Sequence, residues 1–175
     1  MKKILLAAMA CMLILASCNK TPNDNLDPNG PDNDFYLTAT IDSAGFTADL
    51  SEPATWGAFK YHQGTLTISV PANAANAGDG TVMLNLLNNY TGPGNYTVGI
   101  GSTGNNYARY TKGSMATGNF NSWNAETSHN ASGTGTIILT ADANNIVEGS
   151  FSFTGYSTDG SSKAISEGKF RLKVQ

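Results

Sequence analysis

From Phe35 to Gln175 apolar and polar residues alternate with a period of two, and no longer window sustains the 3.6-residue period of an amphipathic helix. Leu66, Ile68 and Val70 alternate with Thr65, Thr67 and Ser69, which predicts one buried face and one wet one. The same alternation predicts strands over 35–42, 45–50, 56–62, 65–70, 81–87, 95–100, 106–111, 118–124, 134–141, 146–156 and 164–174. Between them stand "DSAG", "HQG", "NAGDG", "TGPGN", "DANN" and "TDGSS", each with glycine, asparagine or aspartate where the backbone must turn. The expected fold class is all-β: a single antiparallel β-sandwich or flattened β-barrel of about ten strands, rich in meanders.

The last two strands carry the clearest pattern. Val147, Gly149, Phe151, Phe153 and Gly155 share one face, and Glu148, Ser150, Ser152 and Thr154 the other. In the final strand Ile165 is odd-numbered, whereas Phe170, Leu172 and Val174 are even-numbered. The apolar face changes parity, so a β-bulge is expected at Glu167-Gly168, with the glycine taking the positive φ.

Ahead of the alternating region the chain reads differently. Lys2 and Lys3 precede an uncharged apolar run, Ile4–Ala16, which is shorter than the roughly 20 residues a spanning helix needs. The run ends in Leu15-Ala16-Ser17-Cys18, which resembles the bacterial lipobox, whose cysteine is acylated and becomes the mature amino terminus. The expected organisation is a lipoprotein signal peptide over 1–17, a lipidated Cys18 with a disordered tether over 18–34, and an all-β domain over 35–175. The tether segment "NKTPNDNLDPNGPDND" has too little apolar surface to offset its ordering entropy. Its Asp27, Asn29, Asp32 and Asp34 lack the glycine and terminal glutamate of a calcium loop. Cys11 would leave with the signal, so the mature chain keeps one cysteine and no disulfide within a monomer. The acyl anchor, with palmitate as its type, makes a membrane the first expected partner.

Removing 1–17 leaves eight basic residues against thirteen acidic ones, a formal charge of −5, which is no footprint for nucleic acid. Only 13% of the chain is charged, so its surface relies on neutral hydrogen-bonding groups. Catalytic chemistry finds little material. "GIGSTG" at 99–104 satisfies G-x-G-x-x-G, but "NNYARYTKG" follows where a dinucleotide site needs a helix. His62 sits at a strand end and His129 in a polar loop, too few soft ligands for a zinc centre. The glutamates Glu52, Glu126, Glu148 and Glu167 leave open a carboxylate pair for glycan hydrolysis, with Glu148 and Glu167 expected to point outward. No catalytic residue, metal site or cofactor is assigned.

The stretches "FYLTATIDSAGFTA", "LLNNYTGPGNYTVG", "IVEGSFSFTG" and "ISEGKFRLKV" together resemble a family of short Bacteroidota lipoproteins whose domain has no known function. The resemblance covers residues 35–175 and implies an all-β domain behind a lipobox in a diderm cell envelope, with no catalytic residues to transfer. Asp42-Ser43-Ala44 also matches the short O-glycosylation pattern of that phylum, which makes Ser43 a candidate modification site. Asn89-Tyr90-Thr91 forms an N-glycosylation sequon, read as a loop marker. The expected function is a noncatalytic binding or assembly module on the outer membrane, its ligand a glycan or an envelope protein. A small glycan hydrolase and a fimbrial subunit are the alternatives, the latter weakened because Lys20 is the only basic residue of the tether. Asn19-Lys20-Thr21 after the cysteine, without acidic residues, leaves the membrane face open. For ligand binding the expected patch is Tyr107, Arg109, Tyr110 and Trp123, aromatic rings and a cation among small residues; the competing placement turns half of them into core.

Overall fold

Eleven strands carry the described part of the chain: β1 (Tyr36–Ile41), β2 (Ala44–Thr47), β3 (Gly57–Tyr61), β4 (Thr65–Pro71), β5 (Gly80–Leu86), β6 (Gly94–Gly99), β7 (Tyr107–Ser114), β8 (Asn119–Ala125), β9 (Thr134–Ala143), β10 (Ile146–Tyr156) and β11 (Ser162–Lys173). They come from a computed structural model that describes residues 35–51, 57–61, 64–72, 80–114, 119–127 and 133–175, all within the compact unit Asp32–Gln175. Cys18, the signal and tether segments, Glu52, His62 and His129 lie outside the described residues.

All strand pairs are antiparallel and no helix occurs among the described residues. The main path runs β2-β1-β11-β10-β8-β7-β5-β4-β3, and β9 pairs with both β10 and β6 off that path. The network therefore forks at β10. One side of this strand pairs with β11; the other is shared between β9, over Ile146–Thr154, and β8, at Tyr156↔Asn124. The sheet curls strongly into a half-barrel. Isolated bridges Ala48↔Ala72 and Ala58↔Val174 join its two limbs across the curl.

The alternation predicted for β4 is present: Leu66, Ile68 and Val70 are buried. Their polar neighbours Thr65, Thr67 and Ser69 are half-buried rather than wet, and Thr67 donates to Asn85 Oδ1 (2.6 Å) on the next strand. The concave side gathers Leu37, Phe46, Leu84, Val98, Ile137, Phe151, Ile165, Phe170 and Leu172 into one apolar core, each large side chain stabilising the fold by roughly 1.5–3 kcal/mol on burial. The hairpin β9–β10 turns at Asn144-Asn145, both with positive φ (53° and 58°), which asparagine tolerates better than most residues.

The β-bulge stands where the parity change put it. Phe151 pairs with Gly168 and Phe153 with Ile165, so β11 carries one extra residue there, and the register against β1 shifts at the same place. The positive φ, however, belongs to Glu167 (53°), not to Gly168. Glycine is required at 168 for space: a Cβ would stand 2.6 Å from the Phe151 ring and from its carbonyl oxygen.

Candidate functional site

The registers give the half-barrel two distinct ends. At one end Lys60 of β3, Tyr90 of the β5–β6 loop and Asp142 of β9 meet. Lys60 forms an ion pair with Asp142, and the Tyr90 hydroxyl donates to the other carboxylate oxygen. The Lys60 ammonium also stands 5.8 Å from the centre of the Tyr90 ring. Burial pushes the Asp142 carboxyl up, but the hydrogen bonds from Lys60 and Tyr90 outweigh it and hold it below its ordinary range. Burial, then the Asp142 carboxylate, raises the Tyr90 hydroxyl far above its usual value. Tyr96 packs beside Tyr90 with ring centres 6.3 Å apart and is fixed by donating to the Gly92 carbonyl (2.6 Å). This end is latched.

The other end is open. A cleft of about 420 Å³ is lined by Ile41 to Gly45 on the β1–β2 hairpin, Tyr110 and Lys112 of β7, and Lys163 of β11. The hairpin turns at Asp42 (φ 55°) and Ser43. Asp42 is held on three sides: its amide donates to the Ala164 carbonyl (2.8 Å), its Oδ1 accepts from the Ala164 amide (3.1 Å), and its Oδ2 accepts from Lys163 Nζ (2.5 Å). The Lys163 hydrogen bond, then that of Ala164, keeps the Asp42 carboxyl below its ordinary range against a small effect of burial. Beneath lies an aromatic stack. Tyr110 lies against Trp123 with ring centres 5.7 Å apart and planes at 19°, and Phe46 meets Tyr110 edge-on at 6.5 Å. Lys163 Nζ stands 5.2 Å from the centre of the Trp123 ring. The Trp123 indole donates to Ser161 Oγ (3.0 Å), in a turn where the Ser161 amide donates to Asp159 (2.8 Å). Burial raises the Tyr110 hydroxyl, Lys163 pulls it down and Asp42 pushes it up, so all three groups face one space.

The four residues expected to form one exposed patch are divided between two faces. Tyr110 and Trp123, 3% and 7% exposed, belong to the core, and Tyr110 also lines the cleft. Tyr107 and Arg109 lie on the convex face, half-buried, with the guanidinium 5.7 Å from the Tyr107 ring centre and Arg109 Nε donating to Asn124 Oδ1 (2.5 Å). Residues 107, 109 and 110 sit on one strand, so parity alone separates the first two from the third. Ser43 is exposed on the hairpin turn at the cleft rim.

The glutamates are dispersed. Glu148 pairs with Arg171 across the β10–β11 ladder, and Glu167 accepts from Thr40 Oγ1 (3.0 Å) beside the bulge. Among the described residues no group of three histidine, cysteine or acidic side chains could hold a metal ion. The "GIGSTG" segment is a staple loop. Gly99, Gly101 and Gly104 have positive φ, and Asn106, 1% exposed, accepts from the Leu87 amide (2.9 Å) and donates to the Thr97 carbonyl (3.1 Å). Sequence reasoning passed over Lys112, Lys163 and Asp42 as a group, because β1, β7 and β11 come together only through long-range pairing.

Fold and cleft together define a class of protein: a curled antiparallel β domain with one latched end and one open end. Residues 33–172 match the family model described as a domain of unknown function, DUF6252, and the chain belongs to that family. It has no significant match among curated proteins or solved structures.

Proposed function

We propose that this domain is a noncatalytic binding module, carried on the envelope of a Bacteroidota-type cell by an acylated Cys18, and that the open cleft is its binding site. The observation that carries the reading is the asymmetry of the two ends: Lys60, Tyr90 and Asp142 occupy one, while the other keeps a cleft of about 420 Å³ with lysines at its edge. Asp42, the carboxylate lining that cleft, is engaged by Lys163 and the Ala164 amide. Such a carboxylate is a fixed acceptor suited to holding a ligand, and a poor proton donor for glycoside hydrolysis.

Titration of the isotope-labelled full chain in detergent with oligosaccharides and peptides prepared from envelopes tests the site. Amide shifts should concentrate at 41–45, 110–112 and 163, and shifts confined to other surfaces would refute it. For the anchor, Cys18→Ala should move the protein from the membrane to the soluble fraction, since stable attachment needs the acyl chains. Ser43, exposed on its turn, fits an O-glycosylated position; an unshifted intact mass from the native host would remove that assignment.

A further inference from the structure

The charges around the cleft do not cancel. Lys163 is neutralised by Asp42, whereas the ammonium of Lys112, exposed near the end of β7, has no ion-pair or hydrogen-bond partner among the described residues. The lining thus carries two ammonium groups and one carboxylate, a local excess of one positive charge on a chain whose formal charge is −3. One uncompensated ammonium matches a single carboxylate and leaves half of a phosphate dianion unpaired.

The Asp42–Lys163 pair retains unused hydrogen-bonding capacity. A carboxylate offers about four acceptor sites and an ammonium three donors. Asp42 uses two of its sites, on Lys163 and Ala164, and Lys163 has N–H groups beyond the one given to Asp42. The Asp42 side chain is 49% exposed, so a ligand can reach it. Fixed acceptor and donor side by side suit two neighbouring hydroxyls, one donating to Asp42 and the next accepting from Lys163. Ile41, Ala44 and Gly45 supply an apolar wall for the C–H face of a ring, and Tyr110 contributes to the lining. A peptide joining as an extra strand has only the outer edge of β2, the terminal strand of the path, to pair with here. β1 is already flanked by β2 and β11, and β7 by β5 and β8.

We propose that the cleft takes an acidic sugar, a uronic acid unit of a glycan, with its carboxylate at Lys112 and two adjacent hydroxyls at the Asp42–Lys163 pair. The inference rests on the binding-module reading and adds the chemistry of the ligand.

The test is calorimetry and amide-shift mapping of the full chain with gluco-, galacto- and mannuronate trisaccharides, each compared with its methyl ester. At least one acid should bind with shifts at 41–45, 112 and 163, and its ester should bind about tenfold more weakly, as loss of one charge-assisted contact requires. Lys112→Gln should abolish the difference between acid and ester, and Lys112→Arg should restore it. Both Lys112 variants replace an exposed side chain, and an unchanged denaturation midpoint confirms their fold. Equal affinity for acid and ester, a difference that survives in Lys112→Gln, shifts away from the cleft, or no binding by any of the acids would each overturn the proposal. Neutral sugars or peptides that shift the cleft amides when the acids do not would leave the binding-module reading standing. Silence of the cleft toward every ligand would remove both.

Discussion

Tyr90 donates its hydroxyl to the Asp142 carboxylate, and through this contact the β5–β6 loop is tied to the end of β9. Lys60 of β3 reaches the other oxygen of the same carboxylate. β3 ends the main path, and β9 belongs to the branch beyond β10. One carboxylate thus joins parts of the sheet that share no backbone ladder. Removing the hydroxyl with Tyr90→Phe should cost about 2 kcal/mol, the usual range for a hydrogen bond to a charged group. Urea denaturation at neutral pH checks this, and a loss within error would show that the contact adds nothing to the fold.

The latch also sets a pH dependence. Burial opposes the Asp142 charge, but Lys60 and Tyr90 prevail, and the folded-state pKa lies below the unfolded one. The unfolded chain then binds the proton more readily, so the contribution is complete above about pH 4 and is lost as pH falls through the depressed folded value. The stability difference between wild type and Asp142→Asn should be constant from neutral to mildly acid pH and shrink below about pH 4. Denaturation curves at a series of pH values check it; a gap that grows on acidification would reverse the sign.

At the β11 bulge, adjacent positions should respond unequally. Gly168→Ala drives a Cβ to 2.6 Å from the Phe151 ring and carbonyl oxygen, an overpacking expected to cost about 1–3 kcal/mol. Glu167 holds a left-handed φ of 53° and a hydrogen bond from Thr40 (3.0 Å). Relief of its backbone strain by Glu167→Gly, roughly 1 kcal/mol, offsets loss of that exposed bond, and the midpoint should stay nearly unchanged. Paired thermal melts decide this. Equal losses in the two variants would mean that the bulge is held by something other than space at 168.

The strands and the bulge were legible because alternation and its parity change are local features, written in runs such as Leu66-Ile68-Val70 and in the shift between Ile165 and Phe170. The split between Tyr107 with Arg109 and Tyr110 was legible too, by the same parity. The competing placement, with half of the set in the core, is the one the burial of Tyr110 and Trp123 matches. The fork at β10 and the pairing of β6 with β9 were not legible, since several strands present equivalent apolar faces and only their mutual packing selects partners. The Asp42–Lys163 contact joins residues 121 positions apart and leaves no local signal. Asn106 opens the strand predicted over 106–111, and nothing local in the sequence marks it as almost wholly buried.

Asn106→Ala should be among the costlier polar substitutions in the domain. It leaves the Leu87 amide and the Thr97 carbonyl without their partner, and the loss of two part-buried hydrogen bonds predicts a cost of about 1–3 kcal/mol. Hydrogen exchange adds a local readout: the Leu87 amide should lose its protection while amides of β10 and β11 keep theirs relative to global stability. Retained protection at Leu87 would show that another group takes over the bond.

The last pair of variants separates core from surface within the aromatic set. Trp123 stacks on Tyr110, donates to Ser161 and is 7% exposed, so Trp123→Ala should cost about 3–5 kcal/mol. Tyr107 lies half-buried on the opposite face, contacting Arg109 and Met83, and Tyr107→Ala should cost about 1 kcal/mol or less. The cleft sharpens the contrast: ligand binding at 41–45 should survive Tyr107→Ala unchanged, because that residue faces away from the site. Urea midpoints and the same amide-shift titration read both quantities. A binding defect in Tyr107→Ala at unchanged stability would move the site to the convex face.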